Sequence, residues 1–173
     1  MSATNCGATN FRKDSSRITC PSSRLQIAVG WMEAWKPKKQ SKPSHPEKYK
    51  GNSSNIICRS NWERTFCKYC DLNENVISWA SEEFNIPYVS PVDNRVHKYY
   101  PDFLIEVKEN NRIRKYVIEI KPKKQTSPPP KKSRVTKSYI YECKTFEVNR
   151  AKWRAAREFC IDNGLEFKII TEE

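Results

Sequence analysis

Two stretches in the middle of the chain alternate apolar and polar residues, as strands with one buried face do. They cover residues 99–108 and 112–121, and Asn110-Asn111 lies between them. Asn tolerates positive φ, so this pair is a favourable two-residue hairpin turn. The turn fixes the register, because it pairs residue 109 with residue 112 and sets every earlier pair accordingly. We therefore predict an antiparallel hairpin whose apolar face is formed by Phe103, Ile105, Val107, Tyr116, Ile118 and Ile120.

The polar face of this predicted hairpin carries charges at two places. In the register set by the turn, Glu106 faces Lys115, which is an attractive cross-strand pair. Asp102 faces Glu119 with Cβ atoms about 5 Å apart, and Lys121 follows about 7 Å along the same face. Two carboxylates at that separation repel each other unless a cation lies between them. The pattern predicts a divalent-metal site with an ammonium group beside it.

Helical and strand patterns flank the hairpin. Ser60 and Glu63 fit a capping box, and apolar residues recur at helical spacing from there to about Asn73. A second helical pattern runs from about Tyr139 to Asn163-Gly164, where Gly suits the position after a helix. Further strands are predicted at 76–79, at 83–89 and at 165–170. The strand at 83–89 contains a proline and is expected at the edge or start of the sheet.

These elements predict an α/β fold with a central mixed β-sheet flanked by helices, in the order α-β-β-β-α-β. The last strand, reached through the second helix, would form a right-handed βαβ unit. Residues 1–45 are predicted to be a disordered or loosely attached basic tail and linker. The domain is predicted to occupy residues 46–173, with its compact part starting near Ile56.

Composition points to a polyanionic partner. The chain has 173 residues, of which 32 are basic and 20 acidic, for a formal charge of +12. Such a surplus favours nucleic acid first and an anionic membrane surface second, while a merely soluble basic protein is the plain alternative. The sequence has no apolar run of about 18 residues, so no membrane span is predicted. Seven cysteines without a secretory signal predict reduced thiols, and Cys67-x-x-Cys70 predicts buried packing rather than zinc or iron–sulfur ligation.

The charged cluster has a chemical interpretation and a plain one. Asp102 and Glu119 are hard oxygen ligands suited to Mg²⁺, and the main-chain carbonyl of Ile120 is a further candidate ligand. Lys121 is a candidate to orient water or to stabilise charge on a phosphate, and Glu63 to supply another carboxylate or a hydrogen bond to Lys121. In the plain interpretation, Glu63 only closes its capping box, Asp102 begins a strand, and the remaining two charges line an exposed strand face.

Several spaced motifs resemble the PD-(D/E)xK nuclease superfamily, and more specifically the head-completion nucleases of tailed phages and the related transposon-type endonucleases. The motifs are Arg59-Ser-Asn-Trp-Glu63, Tyr100-Pro-Asp-Phe103, Glu119-Ile-Lys-Pro122, Asn149-Arg-Ala-Lys-Trp153 and Phe167-Lys-Ile-Ile-Thr-Glu172. The resemblance covers about residues 46–173. It implies a restriction-endonuclease-like core, an endonuclease that cleaves DNA with Mg²⁺ (Mn²⁺ as a substitute), and Glu63, Asp102, Glu119 and Lys121 as catalytic residues.

The resemblance also implies a biological setting. The expected task is cutting or trimming DNA as a packaged phage head is completed. The expected location is the cytoplasm of an infected host cell, with the virion as a further candidate and without secretion. DNA and other phage head proteins are the expected partners, without a membrane or a small-molecule cofactor. The alternatives are a transposon-type end-cleaving endonuclease or a junction resolvase and, in another class, a basic DNA-binding virion protein without catalysis.

A basic loop follows the candidate site. Residues 121–137 hold seven positive charges and no acidic residue. Phosphate contacts there would hold DNA over the metal without reading its sequence, whereas the plain alternative is an idle solvated loop. Arg59 and Lys98, with Arg95, flank the predicted catalytic residues and are equally open to both interpretations. The DNA-binding candidates are Arg59, Lys98, Lys123, Lys124, Lys131, Lys132, Arg134 and Lys137.

Overall fold

The computed structural model describes residues 42–172. These residues form two helices, α1 (Asn61–Leu72) and α2 (Lys137–Asp162), with six strands between and after them. The strands are β1 (Val76–Ser81), β2 (Ile86–Val89), β3 (Val96–Tyr99), β4 (Phe103–Glu109), β5 (Arg112–Ile120) and β6 (Glu166–Ile170). One sheet has the order β1-β4-β5-β6, and β2 and β3 form a separate two-stranded sheet. The predicted α/β class with a central mixed sheet is confirmed.

The hairpin of β4 and β5 has the predicted register. Pairs run from Phe103 with Ile118 to Glu109 with Arg112, and both turn residues, Asn110-Asn111, have positive φ. All six side chains of the predicted apolar face are buried in the main core. Alternation of side chains therefore sends the even-numbered residues of β4 to the opposite face, where the charges were predicted.

The start of the predicted strand 99–108 is wrong, because residues 100–102 interrupt it and separate β3 from β4. Tyr99 ends β3 and pairs with Ile86 of β2, so it belongs to the small sheet. Pro101 has no N–H to donate to a ladder and disfavours regular structure at the residue before it. The strand predicted at 83–89 is likewise shorter and pairs with β3, so it neither begins nor borders the main sheet.

Both helices begin and end near the predicted residues. The hydroxyl of Ser60 accepts from the Glu63 amide at 3.1 Å and caps α1. The hydroxyl of Thr136 accepts from the Tyr139 amide at 3.2 Å, so α2 begins two residues before the predicted start. After α2, Gly164 adopts φ +66°, a conformation that favours glycine. The chain then enters β6, which lies parallel to β5.

The described part of the N-terminal segment packs on the domain, so the expectation that compact structure starts near Ile56 is wrong. The carboxylate of Asp71 accepts from the amides of Ser44 (2.7 Å) and His45 (2.8 Å). Tyr49 is buried with its ring centroid 4.7 Å from that of Trp79. Residues 1–41 of the predicted tail lie outside the described residues. Among residues 42–172, no helix has the length and apolar character needed to cross a membrane.

Candidate nuclease site

The open end of the β4–β5 hairpin brings three of the predicted residues together. Asp102 directly precedes β4, Glu119 is the second-to-last residue of β5, and Lys121 directly follows that strand. The ammonium nitrogen Nζ of Lys121 lies 2.8 Å from Oε1 of Glu119 and 3.9 Å from Oδ2 of Asp102. The hairpin register alone accounts for this arrangement, since the Phe103–Ile118 pair continues it by one step.

The peptide units around Ile120 fix the cluster further. Oδ2 of Asp102 accepts from the Ile120 amide at 2.7 Å, and the Ile120 carbonyl accepts from Lys121 Nζ at 3.3 Å. Glu119 is 3% exposed, whereas a quarter of the Lys121 side chain faces solvent. The carboxylates are therefore held in place by the strand, and the cluster opens to solvent on its lysine side.

Electrostatics leave this cluster short of positive charge. Burial, and then the charge of Glu119, raise the pKa of Asp102 to about 7, although Lys121 and the Ile120 amide act in the opposite direction. Burial acts to lower the pKa of Lys121, but the carboxylates of Glu119 and Asp102 outweigh it and the pKa is raised. One ammonium group thus compensates two buried carboxylates incompletely, and a further cation would stabilise both in the charged form.

Tyr99 is a part of the site that sequence reasoning missed. Its hydroxyl donates to Oε2 of Glu119 at 2.5 Å, so each oxygen of that carboxylate has its own donor. Burial and the neighbouring Glu119 raise the pKa of Tyr99 well above its usual range, so the phenol remains a donor. The sequence held no signal for this contact, because alternation assigned Tyr99 to the strand of the hairpin rather than to β3.

Glu63 lies at the start of α1 and satisfies its own cap. Its carboxylate accepts from the Arg59 amide at 2.5 Å and from the Ser60 hydroxyl at 2.8 Å. Within the described residues it makes no ion pair with Lys121, although its negative charge contributes to the raised pKa values of Asp102 and Lys121. The capping role is therefore observed, and the metal-binding role stays a prediction.

The donor set fits a hard divalent cation in part. Among residues 42–172, no three His, Cys, Asp or Glu side chains are placed to hold a metal ion. Asp102, Glu119 and the Ile120 carbonyl are all oxygen donors, as Mg²⁺ requires, and Mg²⁺ commonly keeps waters for its remaining positions.

The cysteines of the predicted Cys67-x-x-Cys70 motif are both buried in the core, as predicted, and Cys67 Sγ lies 2.9 Å from Cys58 Sγ.

The predicted DNA-binding residues lie just before α1 (Arg59), in β3 (Lys98) and in the segment that connects β5 with the start of α2. The segment after β5 forms a short 3₁₀ turn (Lys123–Gln125) and then an irregular stretch that leads into α2 at Lys137. An open groove of about 370 Å³ lies between this loop and α2, with Lys124, Glu142 and Asn149 in its lining. Lys98, Lys123, Lys124, Lys131, Lys132, Arg134 and Lys137 are all exposed.

Lys132 and Arg59 each have an acidic partner among residues 42–172. Lys132 Nζ lies 3.0 Å from the Glu142 carboxylate and 5.3 Å from the ring centroid of Tyr139. Arg59 pairs with Glu82 at 3.0 Å. Both remain accessible, so their DNA contacts stay predictions.

Comparison with known proteins identifies the family. A family model described as "TnsA-like endonuclease N terminal" matches residues 73–172, more than half of the chain. The chain belongs to the TnsA-like endonuclease family. It is also 37% identical over 135 residues to the head completion nuclease of Enterobacteria phage T4, covering 76% of this chain and 88% of that protein. No solved structure matches the chain.

Membership of the TnsA-like endonuclease family confirms the resemblance drawn from the motifs. The matched segment contains Asp102, Glu119 and Lys121, whereas Glu63 lies before it. The endonuclease class is thus established by family, and the roles of individual residues are argued from the geometry above.

Proposed function

We propose that this protein is a divalent-metal-dependent DNA endonuclease that acts during completion of a phage head. The observation that carries the chemical part is the largely buried Asp102–Glu119 pair, compensated incompletely by Lys121. The net charge of +12 favours DNA as the substrate. The biological part rests on the similarity to the phage T4 head completion nuclease.

Asp102, Glu119 and the carbonyl of Ile120 would hold the ion, with Mg²⁺ as the preferred metal and Mn²⁺ as a substitute. When bound, a divalent ion neutralises phosphate charge and lowers the pKa of a coordinated water. Tyr99 and the Ile120 amide orient the two carboxylates. Lys121 presents its ammonium group on the solvent side, where it can hydrogen-bond the attacking water or a phosphate oxygen.

A transposon-type end-cleaving role is the second candidate, because the family description is that of a transposon-type endonuclease domain. The two roles share one active site and differ in substrate. A transposon-type role predicts cleavage at particular end sequences, whereas trimming of packaged DNA predicts cleavage without sequence preference. The measurement that separates these roles is the cleavage rate on random-sequence linear duplex, on duplexes with varied end sequences and on four-way junctions. A junction resolvase would cleave the four-way junctions in preference to linear duplex.

The central test compares two lysines of the same hairpin. Purified wild type, Lys121→Ala and Lys115→Ala are incubated with supercoiled plasmid in Mg²⁺, in Mn²⁺ and in EDTA. Lys115 is the matched control because it also borders a carboxylate on the polar face, 2.7 Å from Glu106. We expect nicking or linearisation only with metal, with loss of about 10²–10³-fold in rate for Lys121→Ala and little change for Lys115→Ala.

The opposite result is equally informative. If wild type cuts under no metal, yet binds DNA with a strong dependence on salt, the endonuclease proposal fails and a basic DNA-binding protein is the better description. If both lysine variants cut like wild type, the site has been placed at the wrong residues.

A further inference from the structure

Lys152 is a half-buried cation on α2 that faces the candidate site. Its ammonium nitrogen lies 5.7 Å from the ring centroid of Tyr88 and 5.7 Å from that of Tyr99. Tyr99 in turn donates its hydroxyl to Glu119. The packing of α2 on the small sheet therefore brings Lys152 to the site, although it is 31 residues beyond Lys121 in the chain.

This ammonium group has no ionic partner among residues 42–172, where no carboxylate lies within 4.0 Å of it. Burial lowers its pKa, and the other charges that influence that pKa are Glu119, Lys121 and Asp102. Its electrostatic surroundings are therefore those of the site itself. A cation held half-buried beside a site without a counter-ion is stabilised when an anion enters.

We propose that Lys152 binds a phosphate group of the DNA strand at the cleavage site. Its ammonium group would donate hydrogen bonds to non-bridging phosphate oxygens, from the α2 side, while Lys121 acts from the hairpin side. The Tyr88 and Tyr99 rings favour the position of the ammonium group, which lies 5.7 Å from each ring centroid, since cations favour the faces of aromatic rings. This inference rests on the proposed endonuclease function and adds a second cation to its site.

A purely structural role for Lys152 makes a different prediction. In that case the lysine stem only packs on Tyr88 and Tyr99, and the ammonium group does not contact DNA. Lys152→Met keeps an apolar stem of similar length but removes the charge, whereas Lys152→Arg keeps the charge. Comparing the two variants therefore separates packing from phosphate binding.

Lys168 provides a matched control on the other face of the sheet. Its ammonium nitrogen also lies over a tyrosine ring, 3.8 Å from the centroid of Tyr116, and it is likewise half-buried. Lys168 pairs with Ile118 in the β5–β6 ladder, so its side chain points away from the face that carries Glu119. Lys168→Met removes the same charge from a similar setting outside the site.

The experiment measures two quantities for wild type, Lys152→Met, Lys152→Arg and Lys168→Met, after thermal unfolding has shown that each is folded. The first is the single-turnover cleavage rate of a linear duplex in Mg²⁺. The second is the salt dependence of duplex binding in EDTA, which reports phosphate contacts without cleavage. We expect Lys152→Met to cut about 10–100-fold more slowly and to lower the salt slope by about one.

Lys152→Arg should retain most of both properties, and Lys168→Met should match wild type. The inference is overturned if Lys152→Met behaves like Lys168→Met in rate and in salt slope. If wild type binds duplex but cuts it under no metal, the proposed endonuclease function fails instead. The salt slopes of the two methionine variants then still decide whether Lys152 contacts phosphate.

Discussion

The polar face of one hairpin carries two charged clusters with opposite electrostatic character. Toward the turn, Glu106 lies 2.7 Å from Lys115 and 2.8 Å from the Ser78 hydroxyl, in a partly exposed position. The Lys115 hydrogen bond is the main reason that the pKa of Glu106 is lowered. Toward the open end, Asp102 has only 12% of its side chain exposed and lies beside a second carboxylate, and its pKa is raised.

Charge balance and burial distinguish the candidate active site from an ordinary cross-strand ion pair. Both clusters have a lysine, a carboxylate and the same alternation of side chains. The open end differs in holding two carboxylates for one ammonium group and in being covered by α2 and the small sheet. Two carboxylates largely removed from water and compensated by one ammonium group cannot both ionise freely, so a bound metal ion would stabilise them.

The largest expected effect concerns cleavage. Glu119→Gln removes a proposed metal ligand, and we expect plasmid cleavage in Mg²⁺ to fall by about 10³-fold or more. Glu106→Gln removes the carboxylate at the other end of the same face and should leave the rate within about twofold, since it only loses a partly exposed ion pair. Equal losses in both variants would remove the distinction between the two clusters.

The next effect concerns stability and pH in the metal-free protein. The pKa of Asp102 is about 7 in the folded state, above its unfolded value of about 3.9. Its contribution to the free energy of unfolding is therefore fully present below about pH 4 and is lost as pH rises through about 7. Glu106 has the opposite sign, because its lowered pKa gives stability above about 4.3 that is lost on acidification.

Urea unfolding in EDTA between pH 3 and pH 8 tests this difference. Asp102→Asn should abolish a loss of about 2–4 kcal/mol between pH 4 and pH 8. Glu106→Gln should instead flatten the dependence below pH 5. If the free energy difference between Asp102→Asn and wild type does not change with pH, the carboxylate pair is not electrostatically strained.

A smaller effect is expected at the two buried phenols of this region. Tyr99→Phe removes the donor to Oε2 of Glu119, and we expect cleavage to slow about tenfold because the carboxylate loses its orientation. Tyr116→Phe removes a similar hydrogen bond, 2.9 Å long, to Glu109 near the turn. It should lower the free energy of unfolding by about 1 kcal/mol without changing the cleavage rate, as measured by chemical unfolding and plasmid nicking.

The pairing of Tyr99 with Glu119 is falsified as a functional contact if Tyr99→Phe cuts at the wild-type rate. A parallel loss of cleavage in Tyr116→Phe would point to general destabilisation of the hairpin. Thermal unfolding of both variants under the assay conditions distinguishes these outcomes.

The features that depend on neighbours along the chain could be predicted from the amino-acid sequence. The Asn110-Asn111 turn fixed the register of the hairpin, and alternation then fixed which side chains share a face. Ser60 and Gly164 marked the ends of helices through local hydrogen bonding and backbone conformation. These are short-range constraints, so the Asp102–Glu119–Lys121 cluster was accessible from pattern alone.

The surroundings of that cluster depend instead on the packing of elements that are distant in the chain. The break at Pro101 moved Tyr99 into a separate sheet, and the packing of α2 on that sheet brought Lys152 to the site. Ser44 and His45 donate their amides to the Asp71 carboxylate, so the described part of the N-terminal segment packs on the domain. Burial, pKa and the meeting of residues far apart in the chain all follow from how whole elements pack, and no periodicity in the sequence encodes that packing.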